Sequence, residues 1–193
     1  MRHALASVLA LVLALVPAAW PGAARASAGP ESLQPLASAV QAMAGAELQL
    51  RGQGRLRFLG LGVYDASLWT ARDFRASRFD AHPFVLELTY LRDFADTDIA
   101  RASLEQMRRH GAFDEAQAGR WQAQLVEALP SVRKGERLAG VHRPGRGVSF
   151  FHQGQPVGEV ADPQFARLFF AIWLGEATSA PALRQALLAG VAP

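Results

Sequence analysis

Apolar and polar positions change period several times along this chain, and each change marks an element. Ala4 to Val16 is an unbroken apolar run between the basic start Met1-Arg2-His3 and Pro17. Residues 27–45 are rich in Ala, Ser and Pro, with a short helix expected from Leu36 to Met43. From Glu47 to Thr70 the pattern is strand-like. Leu48, Leu50, Leu56 and Phe58 fall on one face, and Arg51, Gln53, Arg55 and Arg57 on the other. Gly52 and Gly54 interrupt this alternation as a bulge or bend would. Because side chains in a strand alternate with period two, a slip of one residue exchanges the faces. The pattern therefore leaves open which arginine points inward. Gly60 and Gly62 mark a second kink before a strand over Val63–Trp69, and Pro83 to Leu91 predicts a third.

Helical spacing follows. Asp96, Thr97 and Asp98 are expected to supply an N-terminal cap and an acidic first turn, and Ile99, Ala100, Ser103, Leu104 and Met107 form one face up to Gly111. Asp114 is placed to cap a second helix, on which Ala118, Trp121, Leu125 and Leu129 recur before Pro130. Residues 136–160 return to strands, with turns at Arg143–Gly147 and Gly154. Asp162 and Pro163 then open a helix bearing Phe165, Leu168, Phe169, Ile172 and Trp173, stopped by Gly175. A last helix runs from Pro181 to Gly190. Strands, two helices, more strands and two helices argue for an α+β domain, an antiparallel sheet covered on one face by helices.

Composition changes the picture at the N-terminus. A basic start, a short apolar core and the small-x-small Ala24-Arg25-Ala26 make the layout of a secretory signal peptide over residues 1–26. A spanning helix needs about 20 apolar residues, more than this core has. A single domain of residues 27–193 is expected to remain, periplasmic or fully secreted, with no membrane span. Arg2 and Arg25 leave with the signal, so 18 basic side chains stand against 17 acidic ones. A surface so nearly neutral makes nucleic acid a poor partner. The absence of cysteine excludes thiol chemistry and a Cys-based zinc site. No nucleophile elbow, metalloprotease helix or phosphate-cradling glycine loop occurs, and no metal or cofactor is expected.

Gln53-Gly54-Arg55-Leu56-Arg57-Phe58-Leu59-Gly60-Leu61-Gly62-Val63-Tyr64 resembles the strand hairpin of the chalcone isomerase-like family. Gly145-Arg146-Gly147-Val148-Ser149-Phe150-Phe151 is similar to a later hairpin of its bacterial members. Asp162-Pro163 through Phe169-Phe170-Ala171-Ile172-Trp173-Leu174-Gly175 is similar to their penultimate helix. The resemblance spans about Leu48 to Leu188. It implies an open-faced β-sandwich, a curved antiparallel sheet packed by helices. It also implies one of two activities, closure of a chalcone to a flavanone, or binding of a fatty acid whose carboxylate an arginine and a tyrosine hold. The positions matching the enzyme's threonine, tyrosine and asparagine hold Leu59, Ile99 and Gln106. That is the pattern of a non-catalytic member.

Four residues stand out as ligand contacts. Arg51 or Arg55 would pair with a carboxylate, and Tyr64 or Tyr90 would hydrogen-bond a polar head group. The plainer reading makes the arginines a solvated strand face and the tyrosines packing residues. The expected partner is a small apolar or amphipathic ligand, such as a fatty-acid-like carboxylate. An intramolecular lyase of the chalcone isomerase type and a ligand-free accessory protein are the alternatives.

Overall fold

The computed structural model describes residues 36–191, and the expected signal peptide lies outside them. Six strands form one antiparallel sheet in chain order: β1 (Gln49–Phe58), β2 (Leu61–Thr70), β3 (Phe84–Tyr90), β4 (Arg137–Arg143), β5 (Gly147–His152) and β6 (Gln155–Val160). Five α-helices accompany it: α1 (Ser38–Ala44), α2 (Asp96–Met107), α3 (Glu115–Ala128), α4 (Pro163–Leu174) and α5 (Pro181–Leu187). A 3-10 segment, Ala76–Ala81, lies between β2 and β3.

The caps follow the sequence closely. The Asp114 carboxylate accepts from the Gln117 amide, and Asp162 accepts from the amides of Gln164 and Phe165. At α2 the expected side-chain cap is not made. Ala95 occupies the cap position, and the Asp96 carboxylate accepts from the neighbouring Thr97 amide while the Asp96 amide donates to Ser131 Oγ.

Alternation along the strands divides the side chains between two layers. On one face Ala66, Leu68, Phe84, Leu86, Leu88, Tyr90, Leu138, Val148 and Phe150 meet the apolar sides of α2, α3, α4 and α5. This is the main core. On the opposite face Val85, Ala139, Val141 and Phe151 pack with Val40 and Ala44 of α1. The helices before and after the sheet thus take different faces, and α1 makes a smaller second core behind β3 and β4.

A bulge in β1 resolves the question of register. Leu50 lies opposite Trp69 and Gly52 opposite Leu68, which leaves Arg51 as the extra residue. The single apolar face expected for Leu48, Leu50, Leu56 and Phe58 is therefore not continuous. Leu48 belongs to the α1 side, whereas Leu56 packs on the main core. Two glycines explain why β1 comes so close to α5. A Cβ on Gly52 would collide with the carbonyl oxygens of Ala186 and Leu187, and one on Gly54 with the side chains of Leu183 and Ala186. The Gly190 amide then donates to the Arg51 carbonyl oxygen at 2.9 Å, which fastens the end of the chain to this strand.

Candidate ligand-binding site

Between the sheet and α4 lies a small cavity of about 20 Å³. Leu86, Leu88, Leu138, Gly140 and Phe150 form its floor, and Phe169, Phe170 and Trp173 of α4 its roof. A Cβ on Gly140 would stand 3.3 Å from the Phe170 ring, so this glycine lets the ring settle onto the sheet. The space suffices for about one water molecule. Its lining is apolar apart from the Trp173 indole N–H.

That N–H is already used. Trp173 Nε1 donates to the Tyr64 hydroxyl at 2.9 Å. Tyr64 stands directly opposite Tyr90 in the β2–β3 register, with ring centroids 6.0 Å apart in an edge-to-face arrangement. Tyr90 is buried and Tyr64 partly so. Among the described residues no protein group hydrogen-bonds the Tyr90 hydroxyl. Loss of hydration drives both phenols well above their ordinary pKa. The Trp173 bond opposes this at Tyr64, and the neighbouring Tyr64 reinforces it at Tyr90. Both rings therefore stay protonated at neutral pH and present O–H donors.

The two arginines lie elsewhere. Arg55 points to the opposite face of the sheet, where its Nε and Nη2 donate to the two carboxylate oxygens of Asp65 at 2.6 and 2.7 Å. Arg51 sits at the bulge, with Nε donating to Thr70 Oγ1 at 3.2 Å and Nη2 buried without a partner. Tyr64 and Thr70 are six residues apart on one strand, on the order of 20 Å. The structure thus joins the tyrosines to each other and separates them from both arginines.

Sequence reasoning missed Trp173 as a polar partner. Its place in an aromatic stripe at helical spacing marks it as core, and a helix-to-sheet bond across 109 positions leaves no local signal. His142 is also core. It stacks on Phe84 at 4.8 Å, Nδ1 meets the His82 carbonyl oxygen at 2.8 Å, and desolvation holds its pKa below the ordinary histidine value.

The model of one family, described as chalcone isomerase-like, matches residues 35–189, which span all the described elements. The chain belongs to the chalcone isomerase-like family. Among solved structures, a fatty-acid binding protein of Arabidopsis thaliana is similar, with a TM-score of 0.55 at 15% identity. The match covers 74% of this chain and 87% of that one, and at such identity it speaks for the shared fold. No curated protein matches the chain. The family fold, a curved antiparallel sheet packed by helices, agrees with the order of strands and helices expected from the sequence, except that α1 packs on the other face from the remaining helices.

Proposed function

We propose that this chain is an exported, non-catalytic binder of a small apolar or fatty-acid-like carboxylate. The ligand's tail would lie between the sheet and α4, with its head group at Tyr64 and Tyr90. One observation carries this reading, a pair of neutral phenols linked through Trp173 to an apolar cavity, with the Tyr90 hydroxyl unengaged by any of the described residues. A buried site that must hold a carboxylate needs O–H or N–H donors, and the tyrosine pair supplies two hydroxyls, with the Trp173 N–H holding that of Tyr64 in place.

The cavity is much smaller than the roughly 300 Å³ typical of ligand sites, so binding requires the roof to move. Phe169 and Trp173, each 7% exposed, are the least buried of the lining aromatics, whereas Phe170 is fully buried. Rotation of those two rings away from the sheet would lengthen the space toward Tyr64. The residues matching the enzyme's threonine and tyrosine support the non-catalytic part. Leu59 lies in an exposed turn and Ile99 packs at the core margin, and neither has a hydroxyl. Arg51 and Arg55 enter this reading as candidate carboxylate partners only if the head group reaches the bulge or the outer face.

Native mass spectrometry of residues 27–193, purified from the host and extracted with solvent, tests the proposal. A retained carboxylic acid, and re-binding of dodecanoate that weakens at least tenfold in Tyr90→Phe but not in Arg55→Ala, is expected. A protein that arrives empty and takes up no dodecanoate would overturn it.

A further inference from the structure

The end of the sheet that bears the tyrosine pair closes in a tight turn. Phe58 and Leu61 pair across a two-residue loop, and Leu59 and Gly60 take φ values of 46° and 80°. Such a turn favours Asn-Gly, because positive φ crowds the Cβ of other residues. Here a leucine accepts that strain and also points into solvent. Leu59 is 84% exposed and its neighbour Leu61 54%, the highest values for large apolar side chains among the described residues. Gln153 takes the same strained place in the β5–β6 turn with a polar side chain, so it is the exposed apolar side chain at Leu59 that folding does not explain.

Cations lie at the same end of the sheet. In an antiparallel meander the β1–β2 turn, the end of β3 and the start of β4 lie at the same end of the sheet. Arg57 stands on β1 before the turn, Arg92 follows β3, and Arg133 and Lys134 precede β4. The Gly135 amide, which donates to the Tyr90 carbonyl oxygen at 2.7 Å, binds that last loop to β3. None of the four cations forms an ion pair among the described residues. The nearby acids are held mainly by other donors, although Glu136 also feels the Arg133 charge. Asp93 accepts from the Lys134 amide, Glu136 from the Arg133 amide and His152, Asp65 pairs with Arg55, and Asp96 accepts from the Thr97 amide.

We propose that this end of the sheet docks on an anionic lipid surface. Leu59 and Leu61 enter the boundary between head groups and acyl chains, and Arg57, Arg92, Arg133 and Lys134 lie against the phosphates. Charge complementarity selects lipid over a protein partner. A narrow tip with two leucines is far smaller than the roughly 800 Å² per side of a stable protein interface, yet suits a fluid boundary that needs no matching shape. Docking there also brings the bilayer to the end of the sheet that holds Tyr64 and Tyr90. The docking stands whether or not the cavity takes an acid.

Co-sedimentation of residues 27–193, which include the whole compact unit Leu36–Pro193, tests this. Vesicles of phosphatidylethanolamine with phosphatidylglycerol are compared with vesicles of phosphatidylcholine alone. Binding to the anionic vesicles that weakens with salt is expected. Leu59→Asn, which suits the turn and should melt no lower than the parent, should lose at least tenfold in partitioning. Arg57→Gln and Lys134→Gln should each lose on the order of fivefold. No binding to anionic vesicles, equal binding to both compositions, or full binding by Leu59→Asn would overturn the proposal. So would a dimer that Leu59→Asn dissociates in a protein that ignores vesicles, since the tip would then serve a second copy. Dodecanoate binding in solution by Leu59→Asn separates this test from that of the cavity, because it should stay at the parental level.

Discussion

The two faces of the sheet come from the same strands but carry different chemistry. The face under α4 and α5 is filled with aromatic and aliphatic side chains, and its polar groups, a few hydroxyls, the His142 imidazole and the indole N–H groups of Trp121 and Trp173, mostly have protein partners. The other face holds a small apolar patch beneath α1 and, around it, Arg55 with Asp65, Gln53 with Ser67, and Glu87 near Arg137. An apolar ligand gains by entering only the first face, because only there would it replace contacts of its own kind. The second face is polar and pairs its charges, Arg55 with Asp65 near solvent and Arg137 more loosely with the buried Glu87. The contrast teaches that strand arginines beside a family motif are not ligand contacts by virtue of sequence alone. The register of β1 turns Arg55 outward.

The largest effect should come from the α4 roof. Phe170 is fully buried against Phe84, His142 and Phe169, so Phe170→Ala should cost about 3–5 kcal/mol. Urea denaturation measures that loss. Gly52→Ala should follow, at about 1–3 kcal/mol, because the new methyl group pushes against α5. Its signature is faster amide exchange over Pro181–Leu187. Tyr64→Phe leaves the Trp173 N–H without its acceptor and should cost about 1–3 kcal/mol. A change in tryptophan emission should accompany it.

The same tyrosines predict the response to alkali. Their folded pKa values lie above the unfolded value near 10. The folded state therefore binds the phenolic protons more tightly. That share of stability is fully present below pH about 10 and is lost as the pH rises toward the folded pKa values. Ultraviolet difference titration should show no tyrosinate below that pH, with ionisation tied to unfolding above it. Tyrosines that ionise freely near pH 10 in the folded protein would contradict the buried donor pair. On the other face, Arg55→Ala should change stability by no more than about 1 kcal/mol, since both partners of the Asp65 pair are well exposed.

Much of this contrast is legible in the sequence. Period-two alternation in β3, helical spacing in α3 and α4, and the capping residues Asp114 and Asp162 each state a local preference that tertiary packing keeps. The face of β1 is less legible. Gly52 and Gly54 announce an irregularity, but its position depends on how closely α5 approaches, and α5 lies more than a hundred residues later. The same holds for the site. Tyr64 and Tyr90 can be singled out as the only tyrosines, yet their facing positions follow from the β2–β3 register and their link to Trp173 from the seating of α4. Sequence marks residue types well and long-range partners poorly.

The central claim is that an apolar acid enters on the helix-covered face, and hydrogen exchange with and without dodecanoate addresses it most directly. The account predicts that dodecanoate changes exchange in α4 and in the β2 and β3 amides around Tyr64 and Tyr90, and leaves α1 as it was. A ligand that binds but alters only α1 or the outer side near Arg55 and Asp65, or one that leaves every amide unchanged, would contradict it.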